Sequence, residues 1–490
     1  MELLCLVKGN ILDMGKCFKN IMALHLFYFL FFSQLCFPQV EVKEGPPEPI
    51  ILLNADNLVG SGKEGERQRE FIGNVRFQQG IVFVSSNKAI QYLDENRATL
   101  SGNVIIRQED LLLKSSLIHY DGNSGIAYSP TGIEIKDKNM RLKADSGTYN
   151  TRTYEADFFH DVSVTDDTVS IRADHIRYNR KTRVSFAFGN IHIDNDSVQI
   201  ICDSLEHRGA TKDSYASGNV LVKAKFTNVL LVADSIIHIQ HQKYTKAIGQ
   251  PVLIQIDTIK SYTKGDTSKE NSDTINVFKY DSLIVTSILM DSKRDGNQEI
   301  YNFIGNVEII KGHISARAGR AIYNKSEEEF RLYELPILWY DSTQLHADSI
   351  VIQTQNNKLK LVLALSNAFA GSKDDTLDAK RINQISGDEL KMFFENDSIK
   401  LIASYGNSKS LYFIYADSSA EGVDRTGADT ILFVNFSENK PENIIWLGSI
   451  VGEAFPENMV TLNPTQYYLP SFRWSELKPI RKEIKIRKEK

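Results

Sequence analysis

A short apolar element with a Gly-Asn pair in its middle recurs along this chain at a fixed interval, and that interval restricts the fold more than any other feature. It reads Phe71-Ile72-Gly73-Asn74-Val75, Leu100-Ser101-Gly102-Asn103-Val104, Phe188-Gly189-Asn190-Ile191, Ala216-Ser217-Gly218-Asn219-Val220 and Phe303-Ile304-Gly305-Asn306-Val307. The apolar residue after the pair falls at Val75, Val104, Ile133, Val162, Ile191 and Val220, five successive steps of 29 residues. A period of this length means stacked units that share one elongated core.

A second series runs in the same period. Ser115-Ser116-Leu117-Ile118-His119-Tyr120, Ala144-Asp145-Ser146-Gly147-Thr148-Tyr149, Ala173-Asp174-His175-Ile176-Arg177-Tyr178 and Cys202-Asp203-Ser204-Leu205-Glu206-His207 end 29 residues apart. Two phased series in one period give two strands per repeat. Between them lie turn-forming clusters such as Asp94-Glu95-Asn96, Asn150-Thr151-Arg152 and Asn179-Arg180-Lys181, so consecutive strands are expected to be antiparallel neighbours. Each strand is then roughly 10 to 12 residues, longer than the usual five or six. A glycine in the middle of such a strand marks a bulge or bend. The predicted architecture is therefore all-β, an antiparallel meander whose every strand bends at its Gly-Asn or Ala-Asp step and so folds into two facing sheets. Side chains alternate between the faces, which puts Val162 and Val164, Ile191 and Ile193, and Val220 and Val222 together on the inner face, with Ser163 and His192 outside. No helical periodicity runs through the repeats.

The array is interrupted once, by a polar stretch rich in Thr, Ser and Lys, and then restarts: the second Phe-Ile-Gly-Asn-Val copy lies 232 residues, eight periods, beyond the first. This spacing divides the chain into a first lobe over 50–256, a polar linker over 257–276, a second and looser lobe over 277–470, and a basic tail over 471–490. The N-terminal 1–38 carries Lys16 and Lys19 ahead of an apolar run from Ile21 to Phe32, followed by Ser33, Gln34 and Pro38. That order is the one found in a signal peptide, or in an anchor if it is not removed. The expected location is the periplasm, with association to the inner or outer membrane as a further expectation. Of four cysteines, Cys5, Cys17 and Cys36 lie in or beside that segment and only Cys202 lies in the repeats, so the exported part has no internal disulfide.

Catalytic and cofactor signatures are missing from the pattern. The ten histidines are scattered, without His-Glu-x-x-His, Cys-x-x-Cys or a Gly-rich phosphate loop, and neither a metal nor another cofactor is expected. Asp145, Asp174, Asp203 and Asp234 form a periodic column. Equivalent carboxylates suit a structural task at each bend, bonding a neighbouring backbone N–H, better than acid-base chemistry, which needs unequal environments. His207 and His238 stand where other repeats have Tyr, as wall residues. A formal net charge of −5 and aromatics set apart from basic clusters give no nucleic-acid interface.

The pattern leaves open whether the inner face is a filled core or a groove for an elongated apolar ligand. The Gly-Asn-Val and Ala-Asp-x-x-x-Tyr elements and their alternation resemble the OstA-like (organic solvent tolerance) family over most of 50–256 and more weakly over 277–460. That resemblance implies an open folded-sheet β-jellyroll (a β-taco) with no enzymatic activity, which shields the acyl chains of lipid A during lipopolysaccharide transport for outer-membrane assembly. Carried over by position, the lipid-binding lining is Val75, Phe77, Val104, Ile106, Ile133, Ile135, Val162, Val164, Ile191, Ile193, Val220 and Val222. The implied partners are lipopolysaccharide or a related glycolipid, other jellyroll-containing transport proteins docked edge to edge, and further copies of the chain head to tail. Two other classes compete: an exported structural or adhesive β-solenoid that binds no lipid, and a carbohydrate-active β-helix enzyme, which calls for acidic residues gathered on one coil.

Overall fold

A computed structural model describes residues 50–481 except 63, 66, 80, 109, 138–139, 227, 263–275, 297, 356–357, 374–379, 396–397, 417–418 and 438–439. The candidate export segment, the centre of the polar linker and the end of the basic tail lie outside the described residues. The described chain is almost entirely antiparallel β-strand, with helix confined to single turns such as Glu457–Val460 and Pro464–Tyr467. It divides into two units. Described residues 50–225 and 232–245 form the first, and 226–231 and 246–481 the second.

In the first unit the strands follow one another as a meander. Gln68–Gln79 pairs with Val82–Tyr92, that strand with Arg97–Gln108, and so on to Asp213–Ala224, every pair antiparallel. Most strands run 11 or 12 residues, as the two phased motifs predict. The third repeat is the exception: its strands are split, into Ile126–Ser129 and Ile133–Asp137, and into Met140–Ala144 and Ser146–Asn150. There Thr131-Gly132 stands where a Gly-Asn pair stands elsewhere, and Pro130, just before it, has no N–H with which to continue the ladder.

The bend itself explains why Gly-Asn and Ala-Asp recur in phase. Phe188 pairs with Ser204 and Ile191 with Cys202, so Gly189 and Asn190 together oppose Asp203 alone. This is a β-bulge, which kinks the strand. Gly189 and Asn190 both take left-handed backbone conformations, with φ of 72° and 44°. The Asn190 side-chain amide donates to Asp174 Oδ2 on the preceding strand at 2.9 Å. Asn74 does the same to Asp56 at 2.9 Å and Asn219 to Asp203 at 3.2 Å, and in the second unit Asn367 to Asp348 at 2.9 Å. Each Asp of the column that meets a Gly-Asn copy thus takes the amide of the neighbouring strand's Asn, a side-chain partner where the sequence pattern pointed to a backbone N–H.

One consequence is testable. A Cβ on Gly189 would lie 2.2 Å from Asp174 Oδ2, in a backbone conformation that β-branched residues avoid. Gly189→Val is expected to cost about 3 kcal/mol or more, from strain and the lost corner bond together. Gly60→Val, with open space around its Cβ, serves as control. Urea denaturation of both variants measures the difference, and equal midpoints would show that the corner tolerates a side chain.

The second unit repeats the scheme with longer strands, up to 19 residues in Ser398–Ala416. Its inner row runs Val285, Ile309, Ala316, Leu338, Leu345, Ala370, Ile385, Ser410, Thr426 across successive strands, and all of these are buried. The outer face of the same half-sheet is covered too, by the chain's own C-terminal segment. Val460, Tyr467 and Leu469 pack on Leu411, Phe413 and Val423. Phe472 meets Phe369 edge to face, and Ser475 exchanges two hydrogen bonds with the Gln344 side chain, at 2.7 and 2.9 Å. Residues 471–478, which read from sequence as the start of a tail, are thereby part of this packed layer.

Candidate functional site

The inner wall of the first unit can be followed as one cross-strand row. Phe77 pairs with Val84, Val84 with Ile106, Ile106 with Leu113, Leu113 with Ile135 and Ile135 with Leu142. The row continues through Val164, Ile171, Ile193 and Ile200 to Val222. Every member is apolar, because period-two alternation brings the same phase of each repeat to the same face. Exposure changes along it. Phe77, Val84, Ile106, Leu113 and Ile135 are only half-buried, whereas Leu142, Val164, Ile171, Ile193, Ile200 and Val222 are each 3% exposed or less.

The positions named from sequence therefore fall into two groups. Val75, Val104, Val162, Ile191 and Val220, immediately after the bends, are fully buried at the floor of the fold, and Val164, Ile193 and Val222 are nearly so. Phe77, Ile106, Ile133 and Ile135 are half-buried. The structure adds residues that the motif positions did not single out. Val84, Leu100 and Leu113 share the inner face of the early repeats and are half-buried, and Tyr120, on the same face, is 37% exposed. For Val84 and Leu113 the signal was the alternation of the partner strand, whereas Leu100 and Tyr120 stand inside the two recurring motifs, ahead of the Gly-Asn pair and at the end of the second series. The Gly-Asn series drew attention to one strand of each pair only.

Polar groups mark the strand ends. Arg69 pairs with Gln91, Gln91 with Ala98 and Ala98 with Tyr120 on the inner face, while Gln79 and Gln108 flank Val82 on the other half. Further along the first-half wall the corresponding row carries His207, buried, with its Nδ1 2.9 Å from Ser214 Oγ. His238 repeats this with Thr245 Oγ1 at 2.9 Å. Burial pushes the His207 imidazole down to about 4 and lowers His238 as well. Both rings are neutral wall residues at neutral pH.

The His207 shift has a defined sign. Between an unfolded value near 6.5 and a folded value near 4 the unfolded chain binds more protons, so stability falls as pH is lowered through that window. The contribution is full above about pH 6.5, and about 3 kcal/mol is lost by about pH 4. Urea midpoints of wild type and His207→Gln at pH 7.5 and 5 should show a shallower pH dependence for the variant. Parallel curves would mean that His207 carries none of it.

In the second unit the inner face holds a buried charge cluster. Glu299 Oε2 receives Lys325 Nζ at 2.9 Å and an Arg294 guanidinium nitrogen at 3.2 Å, and the Tyr301 hydroxyl donates to Glu299 Oε1. Burial pushes the Glu299 carboxyl up, but the Tyr301 hydrogen bond and the two cations outweigh it and hold it below the usual carboxylate range. Tyr323 stacks on Phe330 at 4.3 Å beside this cluster. Near the last strands, Trp446 Nε1 reaches across to Ser410 Oγ at 3.0 Å.

Folded antiparallel sheet, two-strand repeats and an apolar inner wall together define a β-jellyroll of stacked repeats. Residues 48–203, spanning the early repeats and the half-buried stretch of the row, match the family described as OstA-like protein, the family to which the recurring motifs pointed. Among solved structures, the chain resembles LptH, the LptA-homologous periplasmic component of the conserved lipopolysaccharide transport device from Pseudomonas aeruginosa. The identity is 14% over 22% of this chain and 82% of that one, with a TM-score of 0.21. No curated protein matches the chain.

Proposed function

We propose that this protein is a non-enzymatic carrier of lipopolysaccharide, or a related glycolipid, which shields its acyl chains in the periplasm on the way to the outer membrane. The observation that carries the reading is the incompletely buried apolar wall of the early repeats, from Phe77 to Ile135. Exposed apolar surface inside a fold costs about 25 cal/mol per Å² relative to covering it, and an acyl chain covers it without bringing polar groups. The OstA-like match over the same residues supports this. Mass spectrometry of lipid that co-purifies from cell envelopes tests it. Recovery of a stoichiometric acylated glycolipid is the expected result, and a lipid-free protein from every envelope preparation leaves the structural solenoid.

The edge of the first unit suits partner docking. Ile51–Asn54 and Asn57–Ser61 both pair with Gln68–Gln79, and Ile51, Leu52, Leu53, Leu58 and Val59 are all exposed. An apolar edge of this kind pairs readily with other β-structure. In the proposed reading it receives another jellyroll, either a transport partner or a second copy. Ile51→Lys combined with Leu53→Lys should abolish crosslinking to that partner and leave the melting temperature unchanged. Retained crosslinking would remove the edge from consideration.

A further inference from the structure

We infer that the apolar ligand site is a blind pocket confined to the early repeats of the first unit, which takes acyl-chain hydrocarbon and is not a groove running the length of that unit. This rests on the carrier reading above and narrows it. Along one continuous row of inner side chains, exposure persists from Phe77 through Ile135 and then stops at Leu142. Fraying at the edge of a sheet would expose one or two strands. Here the half-buried stretch crosses five, on the order of 20 Å at about 4.8 Å per strand. Beyond it every member of the row, from Leu142 to Val222, is buried.

The second unit, taken by itself, offers no comparable site. Its inner row is buried from Val285 to Thr426, the Glu299–Lys325–Arg294 cluster occupies part of its inner face, and Trp446 bonds across to Ser410. An acyl chain threaded there would have to displace charges that are already paired, with no replacement partners of its own.

The chemistry of the pocket also separates its occupant from a peptide. The backbones of the pocket strands are paired with strands on both sides, so a peptide lying on Val84, Leu100 and Leu113 would bury its own N–H and C=O groups unpaired. A hydrocarbon chain has none to bury. At the rim, Arg69, Gln91 and the Tyr120 ring, a residue type that sits well where apolar surface meets water, place a cation and hydrogen-bond donors beside the open end. The occupant assigned is an acyl amphiphile with an anionic or hydroxylated head.

The native tryptophans, Trp339, Trp446 and Trp474, all lie in the second unit, which makes quenching by a brominated fatty acid a direct map. Dibromostearate added to the full chain should remove the extra emission of Leu100→Trp and Leu113→Trp. It should leave the wild-type emission and that of Tyr178→Trp, a buried inner-wall position further along, unchanged. Two pocket-wall variants and a near-isosteric one further along are used so that misfolding of any single protein, judged by its thermal melt, leaves the comparison intact. Equal quenching at Tyr178→Trp or of native Trp446 would overturn the blind pocket and leave the carrier reading standing. Co-purified lipid without quenching at either Leu100→Trp or Leu113→Trp would overturn the pocket alone. Absence of both quenching and lipid would overturn the two together.

Discussion

Ile191→Asp is expected to unfold the first unit, whereas Ser163→Asp is expected to leave it folded. Ile191 is fully buried and pairs with Cys202, itself fully buried. A carboxylate at that position meets apolar neighbours on the inner face. Burying a charge without a partner costs several kcal/mol, against a total stability of about 5–15 kcal/mol for a typical domain. Ser163 occupies the opposite face of the adjacent register and is half-buried, so a charge there should shift stability by no more than about 0.5 kcal/mol. Guanidinium denaturation of the two variants measures the contrast. Equal losses would show that the inner and outer faces have been exchanged. Because Ile191 lies on the fully buried floor of the fold, the expected loss is one of folding.

Glu299→Leu should be the most destabilising single change in the second unit, by about 3–5 kcal/mol. It takes this carboxylate away from two buried or partly buried cations: the Lys325 side chain is 8% exposed and that of Arg294 is 19% exposed, and both bond to it. It also leaves the buried Tyr301 hydroxyl without this acceptor. Replacing all three ionic residues together, as Glu299→Leu, Lys325→Met and Arg294→Met, should recover much of the loss, since an apolar set of similar volume removes the desolvation cost along with the attraction. A triple variant no more stable than the single one would mean that the cluster is held by packing and not by its charges. The depressed Glu299 value adds a pH signature of its own. Its contribution is present above the unfolded carboxylate value near 4.3 and is lost as pH falls through the folded one. In wild type that loss comes below the window in which His207 acts.

Much of this architecture is legible in the chain without coordinates. The 29-residue step, the two strands per step and the bend at Gly-Asn all follow from local rules: glycine and asparagine tolerate left-handed backbone, turn residues close hairpins, and alternation assigns faces. Asn190 and Asp174 show the limit of that reading. Their types and spacing marked both as bend residues, but which group each would bond depends on the bulge register, which brings the Asn amide of one strand over the Asp carboxylate of the preceding one. The cover of 457–478 on the outer face of the second unit was less legible still. Its sequence has no repeat phase, and its partners, such as Gln344 for Ser475, lie more than a hundred residues away.

Ile106 and Ile193 mark the same boundary most clearly. They have the same residue type, the same place after a Gly-Asn pair and the same row of the inner wall, and everything the sequence by itself determined about them is identical: strand, face and phase. Yet Ile106 is half-buried and Ile193 is 3% exposed. Backbone conformation and facing are set within a few residues of a position and so are written in the repeat. Burial is set by how closely the opposite half-sheet approaches and by what its side chains fill, so only the tertiary structure decided where the inner wall opens.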